Sequence, residues 1–156
     1  MDSHKQTRRE MTALFALGSL CRTPSHAVAQ SRTESPALVQ PVEKTREAYL
    51  ARARALRDQA VREGDQGYGA IVVREGTVVG EGRNYVILQS DPTAHAELLA
   101  VRDAARRLNN RDLSDCDVYS TATPCPMCQA ALYWARVRRY HNESNPQDGL
   151  PPKLSC

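Results

Sequence analysis

The chain has 156 residues, which is enough for one domain with its own hydrophobic core but too few for two domains of ordinary size. Apolar residues make up 41% and charged residues 25%, a balance typical of globular proteins and not of disordered or fibrous ones. The formal net charge is +3, but without the first 29 residues the chain has 17 basic and 16 acidic residues, a net charge of +1. This nearly neutral body gives no electrostatic reason to expect a nucleic-acid partner.

Residues 1–29 have the three regions of a secretory signal peptide. Arg8-Arg9 lies in the charged start, the apolar run Met11–Leu20 follows, and Ala27-Val28-Ala29 is a small-residue cleavage site. The paired arginines resemble a twin-arginine signal, and the apolar run is too short to span a bilayer. We therefore predict a periplasmic or secreted protein without a membrane anchor. The alternative is a cytoplasmic protein in which this segment is a frayed helix.

Residues 30–42 contain serines and prolines without apolar periodicity, and we predict a flexible linker there. The domain itself is predicted to span residues 43–141. It begins with an amphipathic helix over about Glu43–Glu63, ended by Gly64. The apolar residues at helical spacing in this segment are Tyr49, Ala53, Leu56 and Ala60.

A β-hairpin is predicted next, because two β-branched runs, Ala70–Val73 and Thr77–Val79, are joined through Glu75-Gly76. Asn84 follows the second strand, and its side-chain amide can offer both a donor and an acceptor to a planar heterocycle. Because Asn favours turns in general, an ordinary turn residue stays open as the alternative.

A second helix is predicted over about Thr93–Leu108, since Asp91-Pro92-Thr93 is typical of a helix start. His95 and Glu97 would lie in its first turn. The residues expected to be buried are Leu98, Val101 and Ala105. Without further context, His95 would be interpreted as a hydrogen-bonded histidine near a helix end.

The last predicted elements surround a pair of cysteines. A third strand spans Asp117–Thr121, and Cys116 before it is predicted to be a small buried residue without a ligand role. A helix over Gln129–Trp134 follows Pro124-Cys125-Pro126-Met127-Cys128, so both cysteines fall at a helix N-terminus, which favours thiolates. A fourth strand lies within Arg136–Tyr140. Met127 is predicted to pack into the core, and Tyr133 and Trp134 are predicted to be buried against the sheet or a partner subunit.

His95, Cys125 and Cys128 together provide one imidazole and two thiolates. Three such ligands leave the fourth position of a zinc ion to water, and Glu97, which does not bind the metal, can move the proton of that water. HxE followed by PCxxC is the signature of zinc-dependent nucleobase deaminases. A CxxC alone would also be compatible with a structural zinc site or a redox pair, but a redox pair leaves His95 and Glu97 unexplained.

The chain resembles the cytidine deaminase superfamily, and more closely the guanine deaminases and the tRNA adenosine deaminases. The residues that carry the resemblance are Gly82-Arg83-Asn84, Asp91-Pro92-Thr93-Ala94-His95-Ala96-Glu97, Pro124-Cys125-Pro126-Met127-Cys128 and Tyr133-Trp134-Ala135. It implies an α/β fold, a three-layer α/β/α domain with a mixed central sheet, usually dimeric, with Zn2+ on His95, Cys125 and Cys128 and with Glu97 as proton shuttle. It also implies that Asn84 and the backbone near Ala96 bind the base.

Two departures from this family pattern stand out. Thr123 occupies the position where relatives commonly have Glu, and residues 142–156 are polar and proline-rich. We therefore predict an irregular tail, with the C-terminal elements that close the pocket of such enzymes missing, as in a shortened member of the family.

The favoured function is hydrolytic deamination of a purine base or nucleoside, guanine-type before others, with release of ammonia. The alternatives are a tRNA adenosine deaminase, a catalytically impaired homologue with structural zinc, and a redox protein.

Overall fold

The computed structural model describes residues 36–143 and 145–153, with the backbone alone for residues 145–148. All of them belong to one structural unit, Glu34–Cys156. The predicted signal peptide over residues 1–29, with the exported location inferred from it, lies outside the described residues and stays a prediction. Within the described part of the chain, no helix combines the length and the apolar character needed to cross a bilayer.

Three helices and five strands make up the described fold. In chain order they are α1 (Arg46–Arg62), β1 (Gly69–Arg74), β2 (Thr77–Arg83), α2 (Ala96–Leu108), β3 (Cys116–Ser120), α3 (Pro126–Trp134), β4 (Arg139–Asn142) and β5 (Asn145–Leu150). The strands form one sheet in the order β2-β1-β3-β4-β5. The sheet is mixed, because β3 and β4 are parallel while the other neighbours are antiparallel.

The helices cover both faces of the sheet. On one face α1 packs its buried Tyr49, Leu50 and Leu56 against Ile71, Val73 and Tyr119. On the other face the small side chains of α2 and Leu132 of α3 pack against Ala70, Val72 and Val118. Alternate residues of β1 and β3 therefore face opposite helical layers, as the side-chain period of a strand requires. The predicted three-layer α/β/α arrangement is confirmed.

Helix α1 agrees closely with the sequence prediction. Thr45 caps it, its hydroxyl oxygen accepting a hydrogen bond from the amide of Ala48, and the chain leaves the helix through Gly64 at a φ of 91°. The four residues predicted for its apolar face, Tyr49, Ala53, Leu56 and Ala60, are all buried.

The end of the predicted flexible linker makes specific contacts. Leu38 packs against the core beneath α1, although the sequence around it showed no apolar face. The side-chain amide of Gln40 donates to the carbonyl oxygen of Val78 at 2.9 Å and accepts from its amide nitrogen at 2.8 Å. Gln40 thus pairs with the outer edge of β2 as a neighbouring strand would, which blunts an exposed sheet edge.

Helix α2 begins later than predicted. Its first residue is Ala96, and Asp91 forms a turn instead, accepting hydrogen bonds from the backbone amide and hydroxyl of Thr93. An Asp side chain that bonds the backbone two residues on competes with the helix for those amides. His95 is consequently the residue at the helix cap, and Glu97 lies in the first turn.

The face that α2 buries also differs from the prediction. Val101 is buried as expected, but Leu98 and Ala105 are only half-buried, and the fully buried residues are Ala96, Ala100 and Ala104. The reason is the close approach of α2 to β2. A Cβ atom on Gly80 would lie 2.6 Å from the carbonyl oxygen of Ala100, and one on Gly82 would lie 2.5 Å from the amide nitrogen of Ala100. Only alanine side chains fit between backbones at this separation.

Beyond β4 the predicted irregular tail is wrong for part of its length. Residues 145–150 form β5, which pairs with β4 through Tyr140↔Leu150 and Asn142↔Asn145. The proline content misled the prediction, because an edge strand tolerates a residue without an N–H donor. The predicted burial of Tyr133 and Trp134 against the sheet is also wrong, since these side chains are 43% and 73% exposed.

The contact between Gly82 and α2 gives a direct test of how the site is positioned. Gly82→Ala forces a methyl group against the carbonyl oxygen of Ala96, and we expect it to lower the free energy of unfolding by about 1–3 kcal/mol and to weaken metal retention. Gly67→Ala is the matched control, because its methyl group would meet only the side chains of Arg57 and the exposed Val61. Chemical denaturation and metal analysis measure both effects. Equal stability and metal content in the two variants would contradict this account.

Candidate active site

Two helix N-termini converge at the edge of the sheet and bring the predicted metal ligands together. His95 precedes the first residue of α2, and Cys125 precedes the first residue of α3. Cys128 lies one turn into α3 and is fully buried. Both cap residues have extended backbone and neither caps its helix with its own side chain, so the imidazole and the thiol remain available to another partner.

The geometry of these three side chains matches a zinc site. His95 Nδ1 lies 3.6 Å from Cys125 Sγ and 3.7 Å from Cys128 Sγ. All three ligand atoms lie within 4.8 Å of one another. Tetrahedral zinc with bonds of about 2.3 Å to sulfur and about 2.0 Å to nitrogen separates those atoms by about 3.5 Å. The residues present therefore fit the ion, and Nδ1 is the ligating nitrogen of His95.

The burial of Cys128 also favours a cation at this point, because a buried thiolate needs a positive charge nearby. Burial, and after it the neighbouring Glu97 and Cys125, raise the pKa of the Cys128 thiol far above its usual range. A divalent cation at this point supplies the positive charge that a buried thiolate needs.

Glu97 is the buried acid beside the metal ligands. Its side chain is 5% exposed, and its Oε2 lies 3.6 Å from Cys128 Sγ. Burial raises the pKa of this carboxyl above its ordinary value, against smaller opposing contributions from its own backbone amide, Ser120 and Cys128. A buried carboxyl group with a raised pKa beside the metal ligands is a candidate general acid and base.

Ser120 is a site residue that the sequence reasoning missed. Its hydroxyl donates to Glu97 Oε1 at 3.1 Å, and its oxygen accepts from the amide of Ala122 at 3.3 Å. The alternation of Cys116, Val118 and Ser120 along β3 predicts that they face the same helical layer, but it does not identify the group that Ser120 contacts there. A hydroxyl at the last of these positions needs a buried polar partner, and Glu97 is that partner.

Asn84 and Ala96, the residues predicted to bind the base, both lie near the start of α2. The amide of Tyr85, directly after Asn84, donates to the carbonyl oxygen of Ala94 at 3.0 Å, and Ala94 directly precedes His95. Asn84 is 1% exposed, and Ala96 is the buried first residue of α2. The structure thus places Asn84 next to the start of α2, and its role towards a base stays a prediction.

An imidazole and two cysteines at adjoining helix starts, with a buried glutamate beside them, are the side-chain arrangement that zinc-dependent deaminases share, here on a three-layer α/β/α fold. Residues 43–142 match the model of the cytidine and deoxycytidylate deaminase zinc-binding region, and the chain belongs to this family. The family is zinc-binding, in agreement with the ligand set described above.

Two curated relatives show where in the family the similarity is high. The guanine deaminase of Bacillus subtilis (strain 168) is 45% identical over 93 residues, 59% of this chain and 60% of the relative. The tRNA-specific adenosine deaminase of Aquifex aeolicus (strain VF5) is 44% identical over 87 residues, 54% of this chain and 58% of the relative. The chain therefore spans somewhat more than half the length of these two relatives.

A solved structure supports the fold assignment. The X-ray structure of guanine deaminase from Bacillus subtilis superposes with a TM-score of 0.61 at 40% sequence identity, covering 63% of each chain. The superposition agrees with the mixed sheet and its two helical layers.

The ligand assignment predicts a sharp difference between two buried cysteines. Cys128→Ala removes a ligand, and we expect zinc to fall from about one ion per chain to a small fraction of that after gel filtration against a competing chelator. Cys116→Ala is the matched control, since Cys116 is equally buried and lies at the start of β3. Elemental analysis of both purified variants decides the matter. Full zinc content in Cys128→Ala, or equal losses in both, would contradict the assignment.

Proposed function

We propose that this chain catalyses the hydrolytic deamination of a purine base or nucleoside, with a guanine-type base favoured, and releases ammonia. The observation that carries the proposal is the buried Glu97 within 3.6 Å of the sulfur of Cys128. A proton-carrying group beside a three-ligand zinc site is what this reaction requires.

The chemistry follows from the positions of these groups. Zinc supplies Lewis acidity, which makes water a nucleophile at neutral pH. Glu97 takes one proton from the attacking water and delivers it to the ring nitrogen next to the carbon under attack. It then moves the remaining hydroxyl proton to the amino group, the carbon–nitrogen bond breaks, and ammonia leaves with that proton. Ser120 donates to Oε1, and Oε2 lies on the side of the metal ligands, 3.6 Å from Cys128 Sγ, so Oε2 is the oxygen placed to carry the proton.

A purine substrate is supported by the relatives and by the charge of the chain. The family includes the guanine deaminase and the tRNA-specific adenosine deaminase reported above, and both names refer to purines. The net charge of +1 outside the first 29 residues offers little attraction to the phosphates of an RNA. A small base or nucleoside is therefore favoured over tRNA as the substrate.

Loss of catalysis with retention of structural zinc is the second candidate. It is favoured by the exposure of the ligand set, because two of the three ligands, His95 and Cys125, are only half-buried. A site that admits water loses part of the electrostatic stabilisation on which catalysis depends.

The role of Glu97 can be tested with an isosteric change. Glu97→Gln keeps the shape of the side chain but cannot carry the proton, so we expect full zinc content and an unchanged melting temperature with ammonia release reduced at least 10²- to 10⁴-fold. The assay compares guanine, adenine, cytosine, their nucleosides and a tRNA. Glu81→Gln is the control, because Glu81 lies on β2, outside the site, and is paired with Arg52 of α1.

Each outcome of this assay separates the candidates. Ammonia from a purine base with the wild-type chain, and none with Glu97→Gln, supports the proposal. Zinc-loaded wild type that releases no ammonia from any substrate would favour structural zinc, and activity on tRNA alone would favour the adenosine deaminase. Turnover by Glu97→Gln at the wild-type rate would remove Glu97 from the mechanism.

We also propose that two copies of the chain associate through the end of α3. Tyr133 and Trp134 pack edge to face at 5.6 Å between ring centroids, yet both are exposed to solvent. Two adjacent exposed aromatic residues are unusual on a monomer and typical of the centre of an interface, and a two-fold axis would bury both copies of the pair together.

This proposal predicts a dimer in multi-angle light scattering. Trp134→Glu places a charge in the contact, and we expect the mass to fall to that of one chain. Val61→Glu is the matched control, because Val61 is 58% exposed on α1 and should leave the dimer intact. A monomeric wild type, or a dimeric Trp134→Glu variant, would contradict the proposal.

A further inference from the structure

A buried carboxylate outside the metal site is hydrogen-bonded to Asn84, the residue predicted to bind the base. Asp65 follows the turn that ends α1 and is 7% exposed. Burial raises its pKa, but hydrogen bonds from the amides of Leu88 and Gln66, the side chain of Asn84 and the amide of Ile87 outweigh it, so the pKa lies below its ordinary value. Asp65 is therefore ionised at neutral pH and accepts hydrogen bonds only.

The contact with Asn84 sets the orientation of its amide group. Asn84 Nδ2 donates to Asp65 Oδ1 at 3.0 Å and to Gln66 Oε1 at 3.2 Å. Because the carboxylate cannot donate, the amide cannot rotate by half a turn without placing two acceptors against each other. Both hydrogens of Nδ2 are thus occupied. Among the residues that the structure describes, none donates a hydrogen bond to Asn84 Oδ1.

The second oxygen of Asp65 holds the loop that follows Asn84. Oδ2 accepts from the amides of Ile87 at 3.1 Å and Leu88 at 2.9 Å. The same carboxylate therefore fixes the Asn84 side chain through one oxygen and the path of the chain after it through the other. This loop returns to Ala94, directly before His95, through the hydrogen bond of Tyr85.

We propose that Asp65 is a positioning residue that presents Asn84 to the substrate as a hydrogen-bond acceptor. The substrate then binds there through an N–H or O–H donor, since Oδ1 is the only uncommitted polar atom of the amide. A buried site built to accept a hydrogen bond discriminates against an analogue that lacks the donor, because an unpaired buried acceptor is costly. The inference rests on the proposed function. It adds that the substrate must offer a hydrogen-bond donor to Asn84 Oδ1.

The test is a coupling measurement between Asp65 and Asn84. Asp65→Asn keeps the shape but adds donor hydrogens, which can pair with Asn84 Oδ1 and withdraw it from the substrate. In a zinc-loaded Glu97→Gln background, where guanine is not consumed, we expect Asp65→Asn and Asn84→Ala each to weaken guanine binding about tenfold in calorimetry. We expect the double variant to bind no more weakly than Asn84→Ala, because Asp65 acts through Asn84.

Two further variants keep the outcome decisive. Gln66→Ala removes the other acceptor of the Asn84 amide from an exposed position without touching the loop, so it decides the question should Asp65→Asn fail to fold. We expect Gln66→Ala to weaken guanine binding by about two- to fivefold, less than Asp65→Asn does. This loss must also vanish in the Asn84→Ala background. Asp112→Asn is the matched control, a loop carboxylate that pairs with the backbone amide of Ser114 and with Arg136.

The results separate this proposal from the proposed function. Independent losses that multiply in the double variant would overturn the positioning role, and so would unchanged affinity in folded Asp65→Asn. Guanine binding with the expected coupling but without ammonia release by the wild-type chain would contradict deamination and leave the positioning role standing. No measurable binding of guanine, adenine or their nucleosides by the zinc-loaded wild type would overturn both.

Discussion

The close approach of α2 to β2 is the constraint on which the site depends. Gly80 and Gly82 add no side chain where β2 meets the backbone of α2, and Ala100 and Ala104 on the helix complete the contact. The carbonyl oxygen of Ala96 lies directly over Gly82, so the first turn of the helix is held against the sheet. His95 and Glu97 flank Ala96 in sequence and take their positions from this contact.

The second constraint on the site is the charge of its buried ionisable groups. A buried glutamate, a buried cysteine and a second cysteine share a small volume, and burial opposes ionisation of both Glu97 and Cys128. A divalent cation stabilises the thiolates and leaves Glu97 outside the ligand set. The hydrogen bond from Ser120 holds Glu97 in that position. The site therefore combines a metal ligand set with a buried carboxyl group that is held beside it.

Much of the fold and of the metal site could be predicted from the sequence because the signals were local. The apolar spacing of α1 and the turn at Glu75-Gly76 specify their elements without help from the rest of the chain, and HxE with PCxxC specifies a ligand set. The predictions were wrong where tertiary contacts determine which residues are buried or which segments form strands. Leu98 was expected on the buried face of α2 with Val101 and Ala105, but the glycines of β2 admit only small side chains there. Residues 145–150 form a strand because they pair with the edge of β4, and no local sequence pattern predicts this pairing.

Asp65 and Ser120 show a similar limit within the site. Each is an ordinary turn or strand residue in the sequence, and each acquires its role from a partner about twenty positions away, Asn84 and Glu97 respectively. Hydrogen bonds of this kind depend on the final packing, so a motif can identify the ligands but not the groups that orient them. The polarity of the Asn84 amide, and with it the substrate donor, follows only from the folded structure.

The most direct test of the account is the origin of the oxygen in the product. Zinc-loaded protein is incubated with guanine in water enriched in ¹⁸O, and ammonia and the purine product are quantified together by mass spectrometry. Hydrolytic deamination predicts one ¹⁸O atom in each product molecule and one ammonia for each base consumed. An intact base after prolonged incubation with fully zinc-loaded protein, or ammonia without incorporation of the label, would contradict the central claim.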